Sequence, residues 1–88
     1  MSNNDRLSAI LVACDEFESG QRTLSSLQAT IEANGEALEA VPRSVFSTLH
    51  DFCNALEKIE FACLAERQLG EGKKVTSSLR TFIASLES

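Results

Sequence analysis

The chain has 88 residues, which is enough for one small domain but leaves no room for a second hydrophobic core. Thirteen acidic and eight basic residues give a formal net charge of −5, and 43% of the residues are hydrophobic. The apolar content excludes a disordered tail. The acidic balance argues against nucleic acid and against an anionic membrane surface, because both attract clustered Lys and Arg.

The sequence also indicates a compartment. The first ten residues, MSNNDRLSAI, lack a basic stretch followed by an apolar one, and no apolar run reaches the length of a membrane span. Three cysteines, Cys14, Cys53 and Cys63, are odd in number and show no CxxC spacing. We therefore expect a cytoplasmic protein with reduced thiols.

The first predicted helix covers about residues 5–19, with Asn3 or Asn4 as its N-cap. Gly20 is predicted to end this helix, because glycine adopts a left-handed C-terminal turn at the least cost. Its apolar residues recur at steps of three and four, which places them on one face: Leu7, Ile10, Cys14 and Phe17.

The second predicted helix covers about residues 24–40, with Thr23 as its N-cap. Its apolar stripe is Leu24, Leu27, Ile31, Leu38 and Val41. Asn34 and Gly35 interrupt the stripe, and a glycine inside a helix costs roughly 1 kcal/mol relative to alanine. The stripe continues on both sides, which favours one helix; a break at Asn34-Gly35 into two shorter helices is the alternative.

Pro42 separates the second helix from the third, because proline suits the first turn of a helix and disfavours helix in the residue before it. The third helix is predicted from residue 42 or 43 to about residue 69. Gly70-Glu71-Gly72 is predicted to be a flexible turn, and the last helix covers about residues 74–86. These segments predict an all-α fold with a single domain over residues 1–88. It is a small antiparallel bundle of four helices, or of three with a bent first helix.

Little in the sequence indicates catalysis, a metal or another cofactor. His50 is the one histidine, and with Cys53 three residues later it makes two ligands where a zinc site usually needs four. The cysteines lie on apolar stripes, where a thiol acts as a small hydrophobic group. We therefore expect a protein that is not an enzyme and that binds no metal or cofactor.

A stripe of carboxylates is the first candidate site. Glu32, Glu36 and Glu39 are spaced by four and three, so a continuous second helix would place them on one face without a neighbouring Lys or Arg. Residues 15–39 hold six acids and one base. One interpretation is a solvent-exposed helix face with no binding role. The other is a surface that binds a basic protein.

A second stripe lies on the third helix, where His50, Asn54, Glu57 and Phe61 follow one another at steps of four, three and four. It lies away from the apolar seam, so Phe61 is predicted to be at least partly exposed. An aromatic ring beside a polar helix face is a reasonable interface anchor. The alternative is that Phe61 packs beneath a neighbouring helix.

The middle of the chain resembles the small all-helical immunity proteins of contact-dependent growth inhibition and related bacterial polymorphic toxin systems. The matching elements are a Phe-x-x-Gly helix end, a Leu-x-x-Leu helix closing with Ala-Leu, and a long helix with an aromatic residue, Leu-Glu and aromatic-Ala. They correspond to Phe17-Glu18-Ser19-Gly20, Leu24, Leu27, Ala37-Leu38, Phe52, Leu56-Glu57 and Phe61-Ala62. The matched residues are scaffold elements, so no toxin-binding residue is carried over.

The resemblance implies that the protein neutralises a toxin domain delivered by a neighbouring cell. Such toxins are commonly nucleases with basic active sites, which an acidic helical surface would cover. The alternative from another class is a structural adaptor that self-associates through its helices as a homodimer.

Overall fold

A computed structural model describes residues 2–87 of the protein, and these residues form four helices and no strand. The helices are α1 (Asn3–Glu18), α2 (Leu24–Glu36), α3 (Arg43–Ala62) and α4 (Ala65–Glu87). Each helix packs against the next one in the chain, and α4 packs back against α1. The predicted all-α bundle of four helices is confirmed, and the three-helix alternative is not adopted.

Side-chain pairs between α1 and α4 show that these two helices are antiparallel. Asp15 pairs with Arg80, while Glu18, one turn further along α1, accepts a hydrogen bond from Thr76, one turn earlier on α4. Short connections make the other successive helices antiparallel neighbours as well. The chain therefore runs up, down, up and down around one core.

The core takes apolar side chains from all four helices. The largest fully buried apolar residues are Ile10, Leu27, Ile31, Leu56, Leu79 and Ile83. Thr76 is the buried polar residue among them, and its hydroxyl is hydrogen-bonded. Each helix keeps a polar outer face, and none of the helices within residues 2–87 has the length and apolarity needed to cross a lipid bilayer.

The start of α1 corrects the prediction of an N-cap at Asn3 or Asn4. Ser2 is the N-cap: its hydroxyl accepts a hydrogen bond from the backbone N–H of Asp5, and the Asp5 carboxylate accepts one from the backbone N–H of Ser2. This reciprocal capping box satisfies two N–H groups that a helix start otherwise leaves free. The helix therefore begins at Asn3, two residues before the predicted start.

The end of α1 follows the prediction. Gly20 has φ +83, the left-handed conformation expected of a glycine just past a helix. The backbone N–H of Gly20 donates to the carbonyl of Phe17, and that of Gln21 donates to the carbonyl of Glu16. These two bonds form a Schellman motif, which satisfies the last carbonyls of α1.

The start of α2 and its passage through Asn34-Gly35 also follow the prediction. The Thr23 hydroxyl accepts a hydrogen bond from the backbone N–H of Ser26, as an N-cap should. The helix continues through Asn34 and Gly35 to Glu36 without splitting into two pieces. The break considered from the sequence is therefore absent from α2.

The predicted end of α2 at residue 40 was wrong, because the chain leaves the helix after Glu36. The carboxamide of Asn3 donates to the carbonyl of Glu39 (2.7 Å) and accepts from its N–H (2.9 Å). Ala40 then takes φ +57, which a helix excludes. A side chain at the start of α1 thus satisfies backbone groups that a continuing helix would have satisfied.

The boundary between the last two helices was also placed wrongly. We predicted one helix to about residue 69, but α3 ends at Ala62, and Cys63 is extended at φ −100 and ψ 145. The Gln68 side chain donates to the carbonyls of Glu60 and Cys63, both at 3.2 Å, and so satisfies the end of α3. Neither glycine nor proline marks this turn, so a helical period alone does not reveal it.

The predicted flexible turn at Gly70-Glu71-Gly72 is helical and lies inside α4. Gly72 is buried, and a Cβ atom there would lie 2.5 Å from Cε2 of Phe17. Gly70 faces open space, with nothing within 4 Å of a Cβ atom. Gly72 therefore permits close packing of α4 on α1, and the two glycines have different structural roles.

Candidate functional site

A groove lies between α2 and α3, with residues of both helices lining it. Its volume is about 220 Å³. Ile31, Gly35 and Leu49 are buried beneath it, and Phe46 and Cys53 line it from α3. A Cβ atom on Gly35 would lie 3.0 Å from Cδ1 of Leu49, so the absence of a side chain there lets the two helices approach closely. The groove therefore has an apolar interior.

Two carboxylates line the groove on the α2 side. Glu32 and Glu36 are one turn apart, and both are exposed. Within residues 2–87, no Lys, Arg or His nitrogen lies within 4 Å of either carboxylate, and neither accepts a hydrogen bond. Their charges are thus available to a ligand or partner, as the stripe predicted for these two residues.

Glu39 does not share that face. It was predicted to continue the stripe on α2, but it lies in the connection after the helix, where Asn3 holds its backbone. The side chain is exposed, so Glu39 still contributes negative charge to this end of the molecule. A spacing of three residues from Glu36 does not place Glu39 on the same face, because the chain is no longer helical at that position.

His50, assigned from the sequence to the second stripe, lines this same groove from α3. The structure therefore brings it next to Glu32 and Glu36, which were assigned to the first stripe. Cys53, one turn after His50, is half-buried; burial and the nearby charge of Glu32 raise the pKa of its thiol to about 11. Cys53 is thus a neutral apolar wall of the groove at physiological pH.

The remaining members of the second stripe lie apart from the groove. Asn54, Glu57 and Phe61, together with Lys58, border a shallow depression along α3. Phe61 is 79% exposed, so the alternative in which it packs beneath a neighbouring helix is wrong. This depression is built from one helix face, whereas the groove is enclosed by two helices.

Three acidic residues of α1 are paired within the molecule. They were counted together with those of α2 in the local charge over residues 15–39. Arg80 donates to Asp15 and to Glu18, each at 2.6 Å, and the buried Thr76 hydroxyl donates to Glu18 at 2.9 Å. The hydrogen bond from Arg80 in particular holds the pKa of Glu18 below its ordinary value of 4.5. Glu16 is paired with Arg22. Arg22 is already counted within residues 15–39, so Arg80 is the one cation added by these pairs, and it changes the local charge only from −5 to −4. The three acids of α1 nevertheless have internal partners, whereas Glu32 and Glu36 do not.

Sequence reasoning missed Phe46 and Cys53 as groove residues. By spacing, both residues flank the apolar seam of the third helix, and Cys53 was predicted to act there as a small hydrophobic group; neither was assigned to a binding site. Both residues line the groove where α3 packs against α2, and Gly35 lies at this contact, close to Leu49. The interruption of the α2 stripe at Gly35 was the one signal available in the sequence.

Within residues 2–87, no group of three or more His, Cys, Asp or Glu side chains is placed to hold a metal ion. Comparison of the chain with protein-family models, with curated proteins and with solved structures finds no significant match.

The groove has two chemical properties that a ligand could use. It can attract a cation through Glu32 and Glu36, and it can bury an apolar group against Phe46 and Leu49.

Proposed function

We propose that this protein is an inhibitor that binds a basic protein domain through the acidic groove of α2 and α3. The observation that carries the proposal is the pair of unpaired carboxylates, Glu32 and Glu36, beside an exposed apolar groove. Charges left without an internal partner, next to apolar surface that can be desolvated, are what a charge-complementary interface uses.

The resemblance to immunity proteins of contact-dependent growth inhibition suggests which basic protein is the partner. In this role, the protein neutralises a toxin domain, such as a nuclease, by covering a basic active site. The chain carries out no reaction in this role. Phe61, with Asn54 and Glu57, is a second contact region further along α3, where an exposed ring offers an apolar anchor.

Charge reversal of the groove is expected to abolish protection. The test expresses the protein in cells that produce the toxin encoded beside its gene, and compares the wild type with the double variant Glu32→Lys and Glu36→Lys. The two introduced lysines would face a basic partner, and like charges placed opposite each other in an interface cost several kcal/mol of binding free energy. Affinity for the purified toxin domain should therefore fall by about 100-fold or more. Survival of the cells and calorimetric titration of the two purified proteins are the measurements.

The matched control is the double variant Glu66→Lys and Glu71→Lys on α4. Both double variants change the formal net charge from −5 to −1, but the control changes it away from the groove. The control should keep full protection, and wild-type affinity should fall as salt rises. Equal loss in both double variants would point to net charge rather than the groove, and full protection by the groove variant would refute the proposed surface.

A homodimeric adaptor is the second candidate function, and the apolar surface at the α3–α4 turn favours it. Phe61, Leu64 and Leu69 are 79%, 67% and 41% exposed, and all three lie close to this turn. Neighbouring exposed apolar side chains are typical of interaction sites.

The two functions predict different oligomeric states. The inhibitor is expected to sediment as a monomer across the micromolar range, whereas the adaptor would form a dimer that is insensitive to salt and is dissociated by Phe61→Ser. Analytical ultracentrifugation of the wild type, of Phe61→Ser and of the control Val12→Ser measures this. Val12 is also exposed, at 54%, but lies on α1. A wild-type dimer that only Phe61→Ser dissociates would favour the adaptor.

A further inference from the structure

The size of the α2–α3 groove limits what it can hold. Sites for small-molecule ligands usually enclose roughly 300–1,000 Å³. The groove, at about 220 Å³, is smaller, and it lies between two helices rather than inside the bundle. It therefore suits a single side chain inserted from a partner better than a cofactor or a metabolite.

The chemistry of the groove selects the kind of side chain. Its interior is apolar at Ile31, Phe46 and Leu49, and its α2 side carries Glu32 and Glu36 without internal partners. An occupant that satisfies both parts needs an apolar stem and a cationic end. Among the amino acids only arginine and lysine have this combination.

Arginine fits the geometry better than lysine. Glu32 and Glu36 are four residues apart on α2, which separates their positions by about 6 Å along the helix axis. A planar guanidinium presents five donors in a fork and can bond to two carboxylates at once, whereas an ammonium acts as a point charge. The ring of Phe46, which is partly exposed in the groove, offers a face on which a guanidinium can stack.

We propose that the groove between α2 and α3 receives one arginine side chain of the partner protein. The guanidinium lies between Glu32 and Glu36 and stacks on the ring of Phe46, and the stem packs against Cys53. This inference rests on the proposed function only in that a protein supplies the arginine. The groove is then a specific pocket for one partner residue, not merely a part of an acidic surface.

The test titrates isotope-labelled protein with N-acetyl-arginine N-methylamide and follows the backbone amide resonances. Weak binding, with a Kd on the order of 1 mM, is expected for so small a ligand. Shifts should concentrate at Gly35, Phe46, His50 and Cys53. The citrulline analogue, which has the same shape without the charge, should bind at least about tenfold more weakly, and the lysine analogue should also bind more weakly.

Three variants separate a pocket from general electrostatic attraction. Glu36→Gln should weaken binding of the arginine analogue by about tenfold, whereas Glu66→Gln, exposed on α4 and away from the groove, should not change it. Cys53→Leu fills the groove without changing its charge and should weaken binding as well; an unchanged pattern of amide resonances elsewhere shows that the variant is folded.

The outcomes of these experiments distinguish failure of the arginine pocket from failure of the proposed inhibitor function. Equal binding of the arginine and citrulline analogues, shifts spread over all acidic residues, or wild-type binding by Cys53→Leu would overturn the pocket. If Cys53→Leu also retained full affinity for the toxin while the Glu32→Lys and Glu36→Lys variant lost it, the inhibitor function would stand without the pocket. Binding of the arginine analogue in the groove without any protection of cells would support the pocket and refute the inhibitor.

Discussion

Replacing Gly72 with alanine is expected to destabilise the protein, although alanine is the better helix former. A methyl group at Gly72 overlaps the ring of Phe17, which is itself buried, and lies 3.6 Å from Cδ2 of Leu24 on α2. Overpacking a core costs about 1–3 kcal/mol, and the gain in helix propensity offsets up to about 1 kcal/mol of it. We expect the free energy of unfolding to fall by about 1–2 kcal/mol, measured by urea denaturation with circular dichroism.

Gly70→Ala is the matched control, because it makes the same substitution two residues away in the same helix. Nothing lies within 4 Å of a Cβ atom at Gly70, so only the helix propensity changes. The free energy of unfolding should rise by up to about 1 kcal/mol, and the two melting temperatures should move in opposite directions. In the Gly72→Ala background, Phe17→Leu should recover part of the loss by making room for the methyl group. Equal stabilisation by both alanines would contradict the close α1–α4 packing.

Replacing Arg80 with methionine is expected to cost about 1–2 kcal/mol at neutral pH. Arg80 on α4 bonds to both Asp15 and Glu18 on α1; the side chains of Arg80 and Glu18 are 35% and 30% exposed, and that of Asp15 is 66% exposed. Without Arg80, two carboxylates would remain close together with the Thr76 hydroxyl as the donor left to Glu18. Urea denaturation across a range of pH is the measurement, because the loss depends on the charge of the carboxylates.

The pH dependence of this loss has a definite sign. Because the folded-state pKa of Glu18 is lowered, its ionised form stabilises the fold above the ordinary value of 4.5. That contribution is lost as the pH falls below 4.5 and through the folded-state pKa. The difference between the wild type and Arg80→Met should therefore be largest near neutral pH and shrink in acid, and Glu18→Gln should flatten the pH dependence of the wild type.

Lys74→Met is the control for the Arg80 substitution. Lys74 also lies on α4, but its side chain is 77% exposed and it pairs with Glu71 within the same helix. Exposed pairs of this kind contribute little, so we expect a change within about 0.5 kcal/mol at any pH. A deficit in Arg80→Met that stays constant into acid would indicate that packing of its aliphatic stem, and not the ionic cluster, is what stabilises the bundle.

Much of the fold was predictable because it depends on local patterns. The apolar period of each segment predicted helices, Thr23 predicted the start of α2, and Gly20 predicted the left-handed end of α1. Each of these features requires only residues within a few positions of one another. A bundle of four helices followed, since short connections leave few other ways to bury four apolar stripes.

The helix ends that were predicted wrongly are those that distant side chains complete. Asn3 satisfies the backbone of Glu39, and Gln68 satisfies the carbonyls at the end of α3. Gly72 was assigned to a turn because glycine commonly marks one, but here it accommodates Phe17 of another helix. No local pattern distinguishes these cases, because the partner in each lies elsewhere in the chain.

The candidate site, like the fold, was predictable from the sequence only where it depends on local spacing. The amino-acid sequence by itself determined that Glu32 and Glu36 share a helix face without a neighbouring cation, because a helical period of 3.6 residues settles that question locally. Only the tertiary structure decided that Glu39 lies off that face, that His50 joins the two carboxylates in a groove, and that Arg80 pairs with both Asp15 and Glu18. Those outcomes depend on which helix faces meet and at what register, and this is decided by packing of the whole core.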